Sequence, residues 1–269
     1  MSGKIGFIGA GNMAEALVRG LLDACVYKAS HIQVSDPDET RREYFRAAFG
    51  VAGTALNQDV AQWADILVLA VKPQVMKNTL SDIRESVTSK QLIISIAAGL
   101  PTTFFEAELP KEAPVVRVMP NMGASVGLGA AALCGGMFAR SEHLDMTERI
   151  MSASGLVVRV NEDQMDAVTA LSGSGPAYLF YFMEAMEEAA ARMGLSHDVA
   201  RILVQATVEG AGRVVRVSGL DPAEWRAKVT SKGGTTAAAI AALDKQNARQ
   251  LIGEAIQAAH ARARELAGG

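Results

Sequence analysis

Short continuous apolar runs alternate with amphipathic stretches through roughly the first 160 residues. Residues 4–9 predict a short strand. Residues 12–24 place Ala16, Leu17, Leu21 and Leu22 on one face at helical spacing. Residues 31–35 predict a second strand, closed by Asp36-Pro37, and Glu39–Phe49 a charged amphipathic helix. Residues 65–71 read Asp-Ile-Leu-Val-Leu-Ala-Val, a continuous apolar run of the kind found in a parallel strand buried on both faces. Residues 91–97 form another such run, and residues 115–119 and 130–133 predict later strands. Repeated strand–helix units of this sort predict a Rossmann-type α/β domain with a parallel-rich sheet and helices on both faces.

The texture changes after Val160, where strand signals stop and alanine-rich helical patterns begin. Residues 176–193 carry Glu184, Glu188 and Arg192 on one polar stripe at four-residue spacing. Ser196 is placed to cap the next helix, whose expected buried stripe is Val199, Ile202, Leu203, Ala206 and Gly210. Asp221-Pro222-Ala223-Glu224 reads as a helix start, and a final helix covers residues 247–266. These helices are more apolar than a lone layer can bury. A second subunit is the natural outlet, and a self-contained bundle is the alternative. The change of texture alone places a boundary near residue 160, between an α/β part, residues 1–160, and an all-α part, residues 161–269.

Bulk properties narrow the partners. The 269 residues carry a formal net charge of −3 and no basic run, which argues against nucleic acid. No apolar stretch reaches the ~18 residues of a membrane span. The apolar start of the chain is interrupted by Asn12, Glu15 and Arg19, so it reads as strand–turn–helix rather than as a leader. Cys25 and Cys134 fit no metal-ligand spacing and read as reduced packing residues of a cytoplasmic protein.

Gly9-Ala10-Gly11-Asn12-Met13-Ala14 has the G-x-G-x-x-A form, between a predicted strand and a predicted helix. Gly9 permits the tight turn, Gly11 lets backbone approach a pyrophosphate, and Ala14 allows close helix–strand packing. Asp36 ends the second strand, where an acid holds both ribose hydroxyls of NADH. Arg41 and Arg42 follow, either to meet a phosphate or as solvated helix charges. Val71-Lys72-Pro73 ends a buried strand at the ligand-binding edge, and Ala97-Ala98-Gly99 gives a small-residue surface for a nicotinamide.

The chemistry is constrained by what is missing. Hydroxy-acid dehydrogenation needs a general acid or base. His31, His143, His197 and His260 lie in no motif, and no lysine occurs between Lys111 and Lys228. A protonated C=N carbon accepts hydride without a strong acid, and then anchoring and orientation suffice. Gly233-Gly234-Thr235-Thr236, opening a helix, offers backbone N–H groups for a carboxylate and hydroxyls for a nearby nitrogen. An ordinary glycine helix cap is the other reading of that segment.

Six segments together resemble the pyrroline-5-carboxylate reductases over essentially the whole chain. They are Phe7-Ile8-Gly9-Ala10-Gly11-Asn12-Met13, Ala70-Val71-Lys72-Pro73, Ser95-Ile96-Ala97-Ala98-Gly99, Arg117-Val118-Met119-Pro120-Asn121, Leu171-Ser172-Gly173-Ser174-Gly175-Pro176 and residues 230–236. The resemblance implies reduction of 1-pyrroline-5-carboxylate to L-proline with NADPH or NADH. It also implies a homodimer through the C-terminal helices with the active site at the dimer interface, and assembly as far as a decamer. Thr236 would bond the ring nitrogen. Gly233, Gly234 and Thr235 would hold the carboxylate with Ser231 in support, and Ser172 and Ser174 would start the helix lining the site. Ile8, Asn12, Met13, Asn57, Ala70, Lys72, Pro73, Ala97, Ala98 and Asn121 would lie at the cofactor. The chain departs from the family pattern at Met122-Gly123, where the family has threonine and proline. It departs again at Lys232, where proline is commoner, and at Asp36, an acid in a family that often prefers NADPH.

Overall fold

The structure is a computed structural model and describes residues 3–267. The chain runs β1 (Ile5–Ile8), α1 (Asn12–Asp23), β2 (Ile32–Ser35), α2 (Glu39–Phe49), β3 (Ala52–Thr54), α3 (Asn57–Trp63), β4 (Ile66–Leu69), α4 (Pro73–Ile83), β5 (Leu92–Ser95), α5 (Thr102–Glu108), β6 (Val115–Pro120), β7 (Gly129–Gly135), α6 (Ser141–Met151) and β8 (Gly155–Arg159). The helical part follows as α7 (Met165–Val168), α8 (Gly175–Arg192), α9 (His197–Ser218), α10 (Pro222–Lys228), α11 (Thr235–Lys245) and α12 (Ala248–Ala267).

The eight strands form one sheet in the order β3-β2-β1-β4-β5-β6-β7-β8. All neighbours pair in parallel except β6 with β7, so β7 and β8 run against the rest. The continuous apolar runs are explained by burial on both faces. In β4, Ile66 and Val68 enter one core with Phe7, Val34 and Leu17, while Leu67 and Leu69 enter the other with Ile8, Val60 and Leu80. At roughly 1.5–3 kcal/mol for each such side chain, these two layers hold the sheet together. Cys134 is buried on β7, but Cys25 is exposed at a positive φ of 53° just beyond α1, so it is not a packing residue.

Contacts separate the chain into two compact units, Gly175–Ala258 and the remainder. Within the helical unit α8 and α9 pack together. Ser196 caps α9 through its hydroxyl, which accepts from the Val199 N–H at 3.4 Å, and Gly219 closes it at φ 67°. Arg192 pairs with Glu188 at 3.7 Å on the expected polar stripe. The expected buried stripe of α9 is corrected: Val199, Ile202, Leu203, Ala206 and Gly210 are all exposed, and Ala200 and Val204 are buried instead. Phe180, Phe182 and Val217 are exposed as well. A single chain leaves this apolar surface open to water. Among the described residues no helix is long and apolar enough to cross a membrane.

Candidate active site

Strand register gathers most of the expected cofactor residues at one rim. Ile8 lies beside both Ser35 and Leu69, and Leu69 beside Ser95. The loops leaving β1, β2, β4 and β5 therefore open together, carrying residues 9–13, Asp36, residues 70–73, Ala97 and Ala98. β6, parallel to β5, brings Asn121 to the same rim. Parallel sheets bind ligands at this end of their strands.

Gly9 is required twice over. Its φ is 98°, and a Cβ would stand 2.8 Å from the Ala70 carbonyl oxygen. A Cβ on Gly11 would meet no atom within 4 Å, so backbone there is open to an approaching group. No side chain caps the N-terminus of α1, whose N–H groups and dipole suit a pyrophosphate. Ala14 is fully buried beneath the turn. The residues present thus fit a dinucleotide.

Asp36 does more than face outward. One carboxylate oxygen accepts the Ala10 N–H at 2.8 Å and the other accepts the Asp38 N–H at 2.9 Å. Arg41 donates from Nε to the Ala10 carbonyl at 2.7 Å and from Nη2 to Glu15 at 2.9 Å, and Arg42 donates to the Asp36 and Pro37 carbonyls. Neither arginine is a freely solvated helix charge. Burial pushes the Glu15 carboxyl up, but hydrogen bonds from Arg41, Tyr44 and Arg19 outweigh it and leave it below the usual range. Asn57 accepts from the Ser35 hydroxyl at 2.8 Å and donates to Asp82 at 3.0 Å, which fixes its amide at the end of β2. Lys72 is exposed at the start of α4, with Pro73 in the first turn.

Asn121 reaches from the end of β6 to the carbonyl and hydroxyl of Ser172, both at 3.3 Å. Ser172 lies in a wide π turn, Thr169–Gly173, closed by the Ser174 N–H on the Thr169 carbonyl. Such turns recur at functional sites. Gly173 leaves room for Met119, whose terminal methyl would lie 2.4 Å from a Cβ there.

Beside this loop sits an ion cluster around a buried arginine, which the sequence reading did not select. Arg117 on β6 is 4% exposed and lies 3.5 Å from Glu162 and 3.6 Å from Asp166. Glu162 also accepts the N–H and hydroxyl of Thr102, each at 2.7 Å. Burial, with Glu162 nearby, pushes the Cys134 thiol up to about 12 against the opposing pull of Arg117. The available signal was an arginine inside the apolar run Val115-Val116-Arg117-Val118.

In the helical unit, Ser231-Lys232-Gly233-Gly234 forms a tight turn into α11. The Gly234 N–H donates to the Ser231 carbonyl at 3.1 Å, and Gly233 has φ 74°. A Cβ on Gly234 would fall 2.5 Å from the Ser231 hydroxyl. Gly234 occupies the cap position without a side-chain bond, and among the described residues the first N–H groups of α11 and the Thr235 and Thr236 hydroxyls have no hydrogen-bond partner.

Residues 162–266 match the family model for pyrroline-5-carboxylate reductase dimerisation, and residues 4–99 match that for NADP oxidoreductase, coenzyme F420-dependent. The pyrroline-5-carboxylate reductase of Methanosarcina acetivorans is 40% identical over 263 residues, covering 98% of this chain and 97% of that protein. The chain belongs to the pyrroline-5-carboxylate reductase family. Solved members of the family share its fold. The enzyme of Coxiella burnetii superposes with a TM-score of 0.92 at 40% identity over 99% of both chains. That of Plasmodium falciparum, solved with NADP bound, superposes at 0.88 with 29% identity over 99% and 98%.

Proposed function

We propose that the protein reduces 1-pyrroline-5-carboxylate to L-proline, the last step of proline synthesis. The observation that carries this is near-full-length similarity at 40% identity to a reductase of that name. The fold and the dinucleotide rim agree with it. NADPH or NADH, when bound, supplies the hydride.

The chain's own residues bind and orient. The Gly9–Gly11 turn and the start of α1 hold the pyrophosphate, with Asn57 and Lys72 toward the nucleoside side. The Gly233–Gly234 turn, shaped by the bond from the Gly234 N–H to the Ser231 carbonyl, presents the N–H groups at the start of α11, Thr235 first, to the substrate carboxylate, and Ser172 and Ser174 line the site. Thr236 keeps the ring nitrogen in register. Hydride adds to the protonated C=N carbon, the π pair becomes the nitrogen lone pair, and the ring N–H is already in place, so no separate acid is needed. Residues 1–160 serve the cofactor, and residues 161–269 the substrate and the assembly. The test is oxidation of NADPH and of NADH at 340 nm with pyrroline-5-carboxylate. Turnover is expected with one or both. A folded, nucleotide-binding protein that turns over only the six-membered cyclic imine would overturn the substrate.

The same reading makes the protein a cytoplasmic homodimer through its C-terminal helices, able to assemble as far as a decamer. Ile202, 64% exposed on α9, is one of the apolar side chains that the single chain leaves open. Ile202→Asp is expected to lower the mass seen by light scattering to that of a monomer. An unchanged mass would put the interface elsewhere.

A further inference from the structure

The Ala10 residue of the glycine turn is gripped at both of its polar backbone groups by charged side chains of opposite sign. Its N–H donates to the Asp36 carboxylate at 2.8 Å, and its carbonyl accepts from Arg41 Nε at 2.7 Å. Asp36 directly follows β2 and Arg41 lies in the first turn of α2, 26 and 31 residues further along the chain. Neither is loosely held. The second Asp36 oxygen accepts the Asp38 N–H. Arg41 passes Nη2 to Glu15 at 2.9 Å and lies over the rings of Tyr44 and Phe45, with centroids at 5.1 and 5.6 Å. Glu15, in the first turn of α1, is in turn held by the Tyr44 hydroxyl at 2.8 Å and by Arg19 at 3.2 Å.

We infer that Arg41, seated by Glu15, is a positioning residue for dinucleotide binding: with Asp36 it clamps the Ala10 backbone and so fixes the turn that meets the pyrophosphate. The inference rests on the dinucleotide reading of this rim. The arrangement of Arg41 suits a clamp. Each Asp36 oxygen accepts one backbone N–H and keeps a second lone pair for a ligand, and the guanidinium places two donors on two acceptors at once, one in the turn and one in α1. A planar fork can do this, whereas a lysine ammonium cannot reproduce it. Charge-assisted bonds to a peptide also hold it more firmly than neutral ones. The turn must already have its shape when the ligand arrives, because Gly11 leaves it free of side-chain support on the open face.

The clamp is tested by calorimetric binding of ADP-ribose and of its 2′-phosphate to the full-length protein, with thermal melts run alongside. Arg41→Met and Arg41→Lys are each expected to weaken both ligands equally, by about tenfold, with no change in the salt dependence of binding. Loss confined to the 2′-phosphorylated ligand would make Arg41 a direct phosphate contact and overturn the clamp. So would full binding by Arg41→Lys, since charge alone would then suffice. Glu15→Gln leaves Arg41 in place but loosens its seat, and is expected to weaken both ligands about twofold to threefold. It decides the matter if the Arg41 variants fold poorly, and wild-type affinity in a folded Glu15→Gln would sink the proposal. Wild-type protein that binds neither ligand would instead remove the dinucleotide reading, and the clamp's purpose with it.

Discussion

Thr236→Ala is expected to lower turnover on the order of a hundredfold while leaving the melting temperature within a degree or two of wild type. Thr236 is the second residue of α11, and its hydroxyl makes no hydrogen bond among the described residues. Gly234, not a side chain, occupies the cap, so removing this hydroxyl costs the helix little. Under the proposed mechanism the same hydroxyl holds the imine nitrogen while the carbon accepts hydride. A misplaced ring loses alignment more than affinity, so kcat should fall further than KM rises. Thr236→Ser keeps the oxygen and is expected to retain most of the rate. Steady-state assays at 340 nm on the three proteins decide it. Wild-type kcat in the alanine variant would take Thr236 out of the mechanism.

The second large effect is on stability. Arg117→Met is expected to destabilise the fold by about 1–3 kcal/mol, less than a fully buried ion cluster would lose, because the carboxylates of Glu162 and Asp166 are 32% and 21% exposed. Glu162 and Asp166 would be left close together without the guanidinium between them, and the buried Asp166 Oδ1 already lacks a hydrogen-bond partner. Arg117→Lys keeps the charge but not the fork, and is expected to lose less. Urea titrations of the three proteins measure the difference. A loss under ~1 kcal/mol would give the cluster no more weight than a surface pair.

The sequence pattern marks those elements whose signal is local. The glycine turn, Glu39–Phe49 and the apolar runs of β4 and β5 are legible because burial on one or both faces leaves a period. β3 is unmarked because Ala52-Gly53-Thr54 is a short edge strand with little to bury, and α5 because seven residues give too few turns for a stripe. At the site, the expected cofactor positions of the glycine turn and of β2, β4, β5 and β6 are brought to one rim by register. The partners that hold them are not legible. Asp36 bonds Ala10 from 26 residues away, Asp82 meets Asn57 from 25 residues away, and Arg117 meets Glu162 across two intervening strands. The α9 stripe failed for a different reason. Periodicity identifies an apolar face but not the chain that covers it, and Ile202 and Leu203 face outward here.

The reversal of β7 against β6 divides the two ends of the sheet by role. Loops after β1 to β6 open where the nucleotide residues gather, whereas the turn after β7 opens at the opposite end, beside the start of β6. Met137 stands there, 82% exposed. That far rim is therefore the place to carry a fluorophore, an affinity tag or a surface tether: cargo attached at Met137 hangs from the scaffold by strands whose other ends carry the glycine turn and the other residues proposed for the nucleotide.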